Sequence, residues 1–166
     1  QYQQTLAADL SRRASETVDG LDPRAMAPAF SRLFPTSGER APDVRQRFAG
    51  AVALLRRLAV ISGGPGTGKT TTVVRVLALL IEQALAAGHA APRIVLLAPT
   101  GKAAARLAES LTSGISGIDC DDAVKAALPT ETSTIHRRLG TRRGSPTSFF
   151  HDADNPLPAD VVLVDE

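Results

Sequence analysis

Apolar runs alternate with amphipathic stretches through the middle and the end of the chain. Three apolar runs rich in β-branched residues cover residues 58–62, 93–98 and 161–164. Runs of this length and composition are typical of strands that are buried on both faces. Residues 71–81 are apolar over a length that predicts a core helix, and the Ala-rich residues 103–111 predict another. Because helices separate these strands, the pattern indicates an α/β fold with a parallel sheet and flanking helices.

The chain up to residue 47 has helical periodicity and predicts a helical N-terminal segment. A first helix ends at Gly20, a second begins after Asp22, and a third follows Pro42 and leads into the first strand. We expect the apolar side chains of these helices to pack in the core. These side chains are Leu6, Leu10, Val18, Met26, Phe30, Leu33, Val44, Phe48, Val52, Leu54 and Leu55.

The chain after the second predicted strand holds shorter elements. Residues 114–119 are predicted to form a loop, residues 121–128 a short helix, and residues 132–140 a capped helix of one or two turns. Residues 142–158 are rich in Gly, Ser, Pro and Asp without a clear period, which is typical of a surface insertion. Phe149 and Phe150 are expected to anchor that insertion.

Residues 63–70 match the pattern G-x-x-x-x-G-K-[ST] of a phosphate-binding loop, placed between a predicted strand and a predicted helix. Glycines allow the backbone to wind around a polyphosphate with its N–H groups pointing inward, and the helix N-terminus adds a positive dipole. Lys69 is predicted to reach the β- and γ-phosphates of ATP, and the Thr70 hydroxyl to bind Mg²⁺. The predicted nucleotide-binding residues of this segment are Gly63, Gly64, Pro65, Gly66, Thr67, Gly68, Lys69, Thr70 and Thr71.

The last predicted strand ends in the acidic pair Asp165 and Glu166. In open α/β sheets ligands bind at the carboxyl ends of the strands, so we expect this pair near Lys69 and Thr70. Asp165 is predicted to hold Mg²⁺ together with Thr70, and Glu166 to polarise the attacking water. The second carboxylate favours an ATPase over a small-molecule kinase, and the sequence lacks the Asn-Lys-x-Asp segment of GTPases. Lys69, Asp165 and Glu166 are therefore the predicted catalytic residues.

Composition and charge fit a soluble α/β domain. The 166 residues are 43% hydrophobic and 22% charged, and a net charge of +2 is compatible with nucleic acid without requiring it. The single cysteine, Cys120, excludes an internal disulfide and fits a reducing compartment. Neither an apolar run of membrane-spanning length nor a signal-peptide pattern occurs in the sequence. We expect a cytoplasmic protein without membrane association.

The two ends of the chain favour a fragment of a larger protein. The first residue is Gln1, the one methionine is Met26, and the chain stops directly after a predicted strand. We therefore expect residues 1–47 to form a helical N-terminal segment. Residues 48–166 are expected to form the first part of an ATPase domain that is incomplete at its C-terminus.

Five segments of the chain, taken together, resemble one family of DNA helicases. They are similar to the RecD helicase family, the alpha subunit of bacterial exodeoxyribonuclease V. The string at residues 98–107 is the most specific, because other ATPase families with a similar phosphate loop lack it. Residues 33–35 and 46–59 occur in the family's order, so the resemblance covers nearly the whole chain. The five segments are residues 62–72, 98–107, 133–137, 155–157 and 160–166.

The resemblance implies a fold, an activity and partners. The implied fold is that of a RecA-like P-loop NTPase, and the implied activity is that of a superfamily 1 helicase using ATP and Mg²⁺. Such a helicase moves 5′ to 3′ on single-stranded DNA. The implied protein partners are the beta and gamma subunits of exodeoxyribonuclease V, in a complex for double-strand break repair and recombination.

The resemblance also implies roles for individual residues. Gln46 matches the glutamine that reads the adenine base. Lys69 and Thr70 match the first ATP motif, and Asp165 and Glu166 match the second. Two further groups match motifs that touch the DNA strand, namely Thr100, Gly101 and Lys102 in one and Thr134 and His136 in the other.

The chemistry of these two groups also fits DNA. Thr100 stands at a strand-to-helix turn, where N–H groups and a hydroxyl can hold a phosphodiester. Four arginines concentrate positive charge near His136, as a groove that tracks a DNA strand requires. The sequence also allows Thr100 only to cap a helix and the arginines to form a solvated surface, so both interpretations stay open. The arginines are Arg137, Arg138, Arg142 and Arg143, and Arg138 departs from the family, which usually has an apolar residue there.

Two rival functions stay open beside the helicase. A hexameric AAA-type ATPase has an almost identical phosphate loop, although the string at residues 98–107 argues against it. The chain could also be a nucleotide-binding or subunit-docking module without turnover. In superfamily 1 ATPases, which the chain resembles, a later strand lies between the phosphate-loop strand and the acidic strand. We therefore expect residues 58–62 and 161–164 not to pair directly.

Overall fold

The computed structural model describes residues 2–38, 43–64, 66–142 and 148–165. In these ranges helices and strands alternate after an all-helical N-terminal part, and the order confirms the expected α/β class. The helices are α1 (Tyr2–Ser15), α2 (Pro23–Leu33), α3 (Val44–Leu55), α4 (Lys69–Ala86), α5 (Gly101–Ser116), α6 (Asp122–Ala127) and α7 (Ile135–Leu139), and the strands are β1 (Ile94–Ala98), β2 (Thr132–Thr134) and β3 (Val161–Val164).

The three strands form one parallel sheet in the order β2-β1-β3. β1 is central and almost fully buried, as its continuous apolar run predicts. β3 alternates between half-buried and exposed positions, and Val162 and Val164 are 48% and 53% exposed. The expectation of a parallel sheet is confirmed for the strands that the structure describes.

The core lies between the sheet and the helices that pack around α4. α4 contacts α2, α3, α5 and α6, and its 18 residues bury a broad apolar face. Phe34, at the end of α2, is fully buried and stacks on Phe30 with ring centroids 4.7 Å apart. Gly50 of α3 lies so close to this ring that a Cβ there would stand 2.6 Å from it. The N-terminal helices α2 and α3 are therefore packed against the same core as the phosphate-loop helix.

Residues 58–62 do not form the predicted strand, and this prediction is wrong. The segment has no regular structure, and Val60 is 85% exposed. In the described part of the chain the ladders join β1 to β2 and β1 to β3, and none includes residues 58–62. A β-branched run without a neighbouring strand gains no ladder hydrogen bonds. As expected, the run does not pair with β3.

Several N-terminal apolar side chains are exposed, although they were expected in the core. Leu6 and Leu10 of α1 are 60% and 44% exposed, and Val44 and Phe48 of α3 are more exposed still. α1 contributes only this narrow apolar stripe and is joined to the rest by polar contacts, including Arg56 Nη1 to the Ser15 carbonyl at 2.5 Å. Val18 and Leu55 are also exposed, at 37% and 39%, and Phe30 and Val52 are half-buried, whereas burial is confirmed for Met26, Leu33 and Leu54.

The boundaries of the shorter elements differ from the prediction in two places. α5 continues to Ser116, into the predicted loop at 114–119, and residues 132–134 form a strand before α7 begins. The predicted helix near residues 121–128 is confirmed as α6. The boundary predicted at residue 47 falls within α3 and stays a prediction. Among the described residues, no helix combines the length and apolarity needed to cross a bilayer.

Candidate functional site

The carboxyl ends of the three strands lie at one edge of the sheet. The register pairs Ala98 with Thr134 across β1 and β2, and Leu97 with Val164 across β1 and β3. Asp165 extends this register, because its N–H donates to the Leu97 carbonyl at 2.9 Å. The segments after these strand ends carry the residues predicted to bind metal and DNA, so the fold collects them at one edge, where α/β proteins bind ligands.

The phosphate-binding loop ends at Lys69, the first residue of α4. Lys69 Nζ donates to the carbonyl oxygens of Gly63 at 2.6 Å and Gly64 at 2.9 Å. The Thr67 hydroxyl donates to the Gly64 carbonyl at 2.9 Å. The helix N-cap is Gly68, which offers no side-chain acceptor to the first N–H groups of α4. These N–H groups and the positive end of the helix dipole are the elements that bind a phosphate.

The backbone conformation at residues 66 and 68 explains why the loop needs glycine at both positions. Their φ angles are +73° and +77°, in the left-handed region where residues with a Cβ are strained. Gly68 has a second constraint, because a Cβ there would lie 2.5 Å from Gln46 Nε2. Pro65, also predicted to bind nucleotide, lies outside the described residues.

Gln46 lies against the phosphate-binding loop, 21 residues away in sequence. Its backbone N–H donates to the Asp43 carboxylate at 2.7 Å, which caps α3. Its side-chain Nε2 donates to the Thr67 carbonyl at 2.7 Å. The structure therefore joins Gln46 to the loop, as a nucleotide-reading residue requires, and its contact with adenine stays a prediction.

Thr70 and Asp165 border the same cavity, which has a volume of about 310 Å³. Thr70 lies in the first turn of α4, and Asp165 follows β3 and is half-buried. A second cavity of about 550 Å³ lies along the phosphate-binding loop from Gly66 to Thr71. Thr70 lines both cavities. The phosphate-binding loop and the acidic strand end thus meet at Thr70.

The oxygens of Thr70 and Asp165 fit Mg²⁺. A hydroxyl and a carboxylate are hard donors, and Mg²⁺ is commonly held by one or two carboxylates plus substrate phosphates and waters. The described part of the chain contains no group of three or more His, Cys, Asp or Glu side chains placed to hold a metal, so a metal here would need phosphate oxygens. Glu166, the predicted partner of the attacking water, lies outside the described residues.

Thr100 and Lys102 line the same cavity as Thr70 and Asp165. Thr100 is the N-cap of α5, and its hydroxyl oxygen accepts from the Ala103 N–H at 3.2 Å. Gly101 is the first residue of α5 and is exposed. The residues predicted to touch DNA therefore adjoin the predicted metal-binding residues.

Thr134 and His136 lie at the neighbouring strand end. Thr134 caps α7, where its hydroxyl accepts from the Arg137 N–H at 3.2 Å. His136 is exposed and makes an edge-to-face contact with Phe149, with ring centroids 5.8 Å apart. The segment after Phe149 is held near α7 by backbone bonds, among them Phe150 N–H to the Gly140 carbonyl at 2.6 Å. The predicted anchoring role of Phe149 is consistent with this contact.

The arginines near His136 are not equivalent. Arg137 and Arg138 are exposed on α7, a helix that has no buried residue. The exposed position of Arg138 explains how a charged residue is tolerated where the family usually has an apolar one. Arg142 pairs with Asp152 at 3.1 Å, which offsets its charge. Arg143 lies outside the described residues.

Three residues of α5 border the site although no sequence motif assigns them a role. Arg106 and Ser110 line the cavity of Thr70 and Asp165, and Ser110 and Glu109 line the cavity of the phosphate-binding loop. Residues 102, 106 and 110 recur every fourth position along the helix and so share one face. That spacing was visible in the sequence, but the packing of this face toward α4 was not.

An ion pair at the opposite end of β3 fixes the register that places Asp165. Arg93 Nη2 and Nε donate to the two Asp160 carboxylate oxygens at 2.9 Å and 3.0 Å, and the Arg93 backbone N–H donates to the same carboxylate at 2.8 Å. The side-chain hydrogen bond from Arg93, followed by that from its backbone, lowers the pKa of Asp160 to about 2. Bidentate pairs of this kind are geometrically specific, so Asp160 aligns β3 with β1.

Comparisons with known proteins agree with this geometry. A family model described as an AAA domain matches residues 46–166. The RecBCD enzyme subunit RecD of Mycolicibacterium smegmatis is 48% identical over 144 residues, which is 87% of this chain and 25% of that protein. The same subunit of Mycobacterium tuberculosis (strain ATCC 25618 / H37Rv) is 46% identical over 142 residues, 86% of this chain and 23% of that protein.

A relative with a different name matches a shorter part of the chain. The ATP-dependent RecD2 DNA helicase of Deinococcus radiodurans is 39% identical over 110 residues, 66% of this chain and 12% of that protein. The chain thus spans a quarter or less of the length of these curated relatives. The similarity covers most of this chain and a small part of each relative.

Proposed function

The chain belongs to the AAA domain family and is RecD-like, and from this premise we propose that it is part of the motor of an ATP-dependent DNA helicase. The proposed motor moves 5′ to 3′ on single-stranded DNA. It works as a subunit of an exodeoxyribonuclease V type complex, with beta and gamma subunits as partners, in double-strand break repair and recombination.

One observation carries the ATPase part of this proposal. Thr70, in the first turn of the phosphate-loop helix, and Asp165, at the end of β3, line one cavity. A P-loop NTPase requires this pairing of a hydroxyl and a carboxylate across the sheet edge. Thr70 and Asp165 are 95 positions apart in the sequence. The parallel pairing of β3 with β1 places Asp165 at the carboxyl edge of the sheet.

Residues of the loop and residues that follow β3 are proposed to have different roles in ATP binding and hydrolysis. Lys69 and the N–H groups at the start of α4 are proposed to bind the phosphates and to balance the charge that develops on the transferred group. Thr70 and Asp165 are proposed to hold Mg²⁺, which when bound bridges phosphate oxygens and withdraws charge from them. Glu166 is proposed to orient the attacking water, and Gln46 to select adenine.

The DNA part of the proposal rests on the second and third strand ends. Thr100, Gly101 and Lys102 are proposed to hold one DNA phosphate, and Thr134 and His136 another. Phosphate contacts of this type position a strand without reading its sequence, which suits a translocating motor. Because Thr100 and Lys102 share a cavity with Thr70, nucleotide and DNA would bind at the neighbouring N-termini of α4 and α5.

The direct test is Lys69→Ala in the full-length protein that carries this sequence. We expect DNA-stimulated ATP hydrolysis to fall to background, while the fold, measured by circular dichroism and thermal unfolding, is unchanged. The matched control is Lys125→Ala on α6, which removes a half-buried lysine that lines neither cavity. An unchanged hydrolysis rate in folded Lys69→Ala protein would refute the nucleotide site.

The same preparation separates the helicase from its rivals. Stimulation by single-stranded DNA without hexamer formation, measured by light scattering, is expected for the RecD-like motor. DNA-dependent turnover that appears only in hexamers would favour an AAA-type machine. Nucleotide binding that is lost in Lys69→Ala, with no turnover in the wild-type protein, would identify a binding or docking module.

A further inference from the structure

Arg106 is a charged residue that borders the site. Neither the ATP motifs nor the DNA motifs assign it a role. It lies on α5 one helical turn after Lys102, and both line the cavity of Thr70 and Asp165. Its side chain is exposed. In the ranges that the structure describes, Arg106 and Lys102 have no ion-pair partner. Two like charges one turn apart on a helix repel each other, so this face favours an anion.

The positions along α5 distinguish two sources of that anion. Lys102 stands next to Thr100 at the strand end, where the DNA phosphate is proposed to bind. Ser110, one turn beyond Arg106, lines both cavities, as Thr70 does. Arg106 therefore lies on α5 between Lys102, at the strand end, and Ser110, which lines both cavities.

We propose that Arg106 binds the terminal phosphate of the bound nucleoside triphosphate, and so distinguishes a triphosphate from a diphosphate. This inference rests on the proposed nucleotide site. The cavity along the loop and the cavity of Arg106 share Thr70 and Ser110 as lining residues. A triphosphate in the loop carries one phosphoryl group more than a diphosphate, and in this proposal that extra group is the one that reaches Arg106. The guanidinium fork suits a phosphate with several free oxygens.

The test is the nucleotide selectivity of Arg106 variants of the full-length protein. Calorimetric titration gives Kd for Mg-AMP-PNP and for Mg-ADP. We expect Arg106→Gln to raise Kd for Mg-AMP-PNP about tenfold, the effect of one charge-assisted hydrogen bond, and to change Kd for Mg-ADP less than about twofold. Arg106→Lys keeps the charge and is expected to recover part of the loss.

Three controls show which interaction is responsible for a change in Kd of the Arg106 variants. Arg24→Gln removes an exposed arginine on α2 that lines neither cavity, and is expected to leave both constants unchanged. Lys69→Ala tests the nucleotide site itself. Binding of an oligo(dT) strand without nucleotide tests DNA as the source of the phosphate, and we expect Arg106→Gln to leave it unchanged.

The outcomes are distinguishable. If Lys69→Ala abolishes nucleotide binding and Arg106→Gln leaves the ratio of the two constants unchanged, the role of Arg106 is wrong and the proposed function stands. Weakened oligo(dT) binding with unchanged Mg-AMP-PNP binding would assign Arg106 to DNA and overturn the inference. If the wild-type protein binds neither nucleotide, the proposed function and this inference are both wrong. They are also both wrong if Lys69→Ala binds the two nucleotides as tightly as the wild-type protein does.

Discussion

The two left-handed glycines of the phosphate-binding loop provide a matched pair of substitutions. Gly66 and Gly68 have nearly equal φ angles of +73° and +77°, but a Cβ at Gly66 has no atom within 4 Å, whereas a Cβ at Gly68 would lie 2.5 Å from Gln46 Nε2. Replacement by alanine therefore introduces the same backbone strain at both sites. Only at Gly68 does it also displace Gln46. The difference between the two variants measures the contact that joins α3 to the loop.

The magnitudes follow from these contacts. A left-handed alanine costs about 1–2 kcal/mol, and the smaller conformational freedom of alanine in the unfolded chain returns about 0.4–1 kcal/mol. Gly66→Ala is thus expected to lower the free energy of unfolding by about 1 kcal/mol. Gly68→Ala also breaks the hydrogen bond from Gln46 Nε2 to the Thr67 carbonyl, which adds about 0.5–1.5 kcal/mol. We expect a total of about 2 kcal/mol for Gly68→Ala.

The assay is urea and thermal unfolding of the nucleotide-free protein, so that loss of ligand binding does not enter. For a chain of this size each kcal/mol corresponds to a shift in Tm of about 2–4 °C, so the two variants are separable. Gln46→Ala removes the clash partner. In the double variant Gln46→Ala/Gly68→Ala, the cost of the alanine at residue 68 is expected to return to that of Gly66→Ala.

Two results would refute this reasoning. Equal destabilisation by Gly66→Ala and Gly68→Ala would mean that Gln46 does not lie against the loop. Strictly additive effects of Gln46→Ala and Gly68→Ala would mean the same, because residues in contact show a coupling energy. In either case the proposed role of Gln46 in reading adenine would lose its structural basis.

Three further predictions concern DNA, pH and the isolated chain. Replacing Thr100 and Lys102 together by Ala is expected to weaken single-stranded DNA binding and reduce its salt dependence, and equal loss of ATP binding would contradict this division of roles. Because Arg93 lowers the pKa of Asp160 from 3.8 to about 2, this pair contributes stability that is present above about pH 4 and is lost as pH falls through about 2. Asp160→Asn should flatten this part of a pH titration of unfolding, and the matched control is Asp154→Asn, which removes an exposed carboxylate that does not pair with Arg93. If a second motor domain supplies an arginine finger worth ~10³–10⁵ in rate, the 166-residue chain alone should hydrolyse ATP near background, and robust DNA-stimulated turnover would contradict this.

Local signals in the sequence predicted much of the fold and pointed to the candidate nucleotide site. Asp22 and Thr100 were recognisable as helix caps, and each accepts a hydrogen bond from its helix. The run of β1 was recognisable because a buried parallel strand is apolar throughout, and the run of β3 because it consists of β-branched residues and leucine. The phosphate-binding loop was recognisable because all the fixed positions of its pattern lie within residues 63–70.

The elements that were not predicted depend on distant parts of the chain. Residues 58–62 have strand composition, but a strand also needs a neighbour, and composition does not reveal which edges are taken. β2 is the opposite case, because Thr132–Thr134 has no apolar run and forms a strand since β1 offers it an edge. Leu6 and Leu10 have helical spacing, but spacing gives the face of a helix and not the surface that covers it. Arg106 was missed for the same reason, since only packing shows what its face of α5 meets.

Thr100 shows why the two interpretations left open by the sequence are compatible. Its hydroxyl oxygen accepts the Ala103 N–H and so caps α5. A hydroxyl has a second lone pair and one proton, and that proton remains able to donate to a phosphate oxygen. The cap fixes the side chain at the start of α5, within the cavity that also contains Thr70 and Asp165. The structural role in capping therefore leaves the same group available for the proposed phosphate contact, and a movement of α5 toward bound phosphate would carry Thr100 with it.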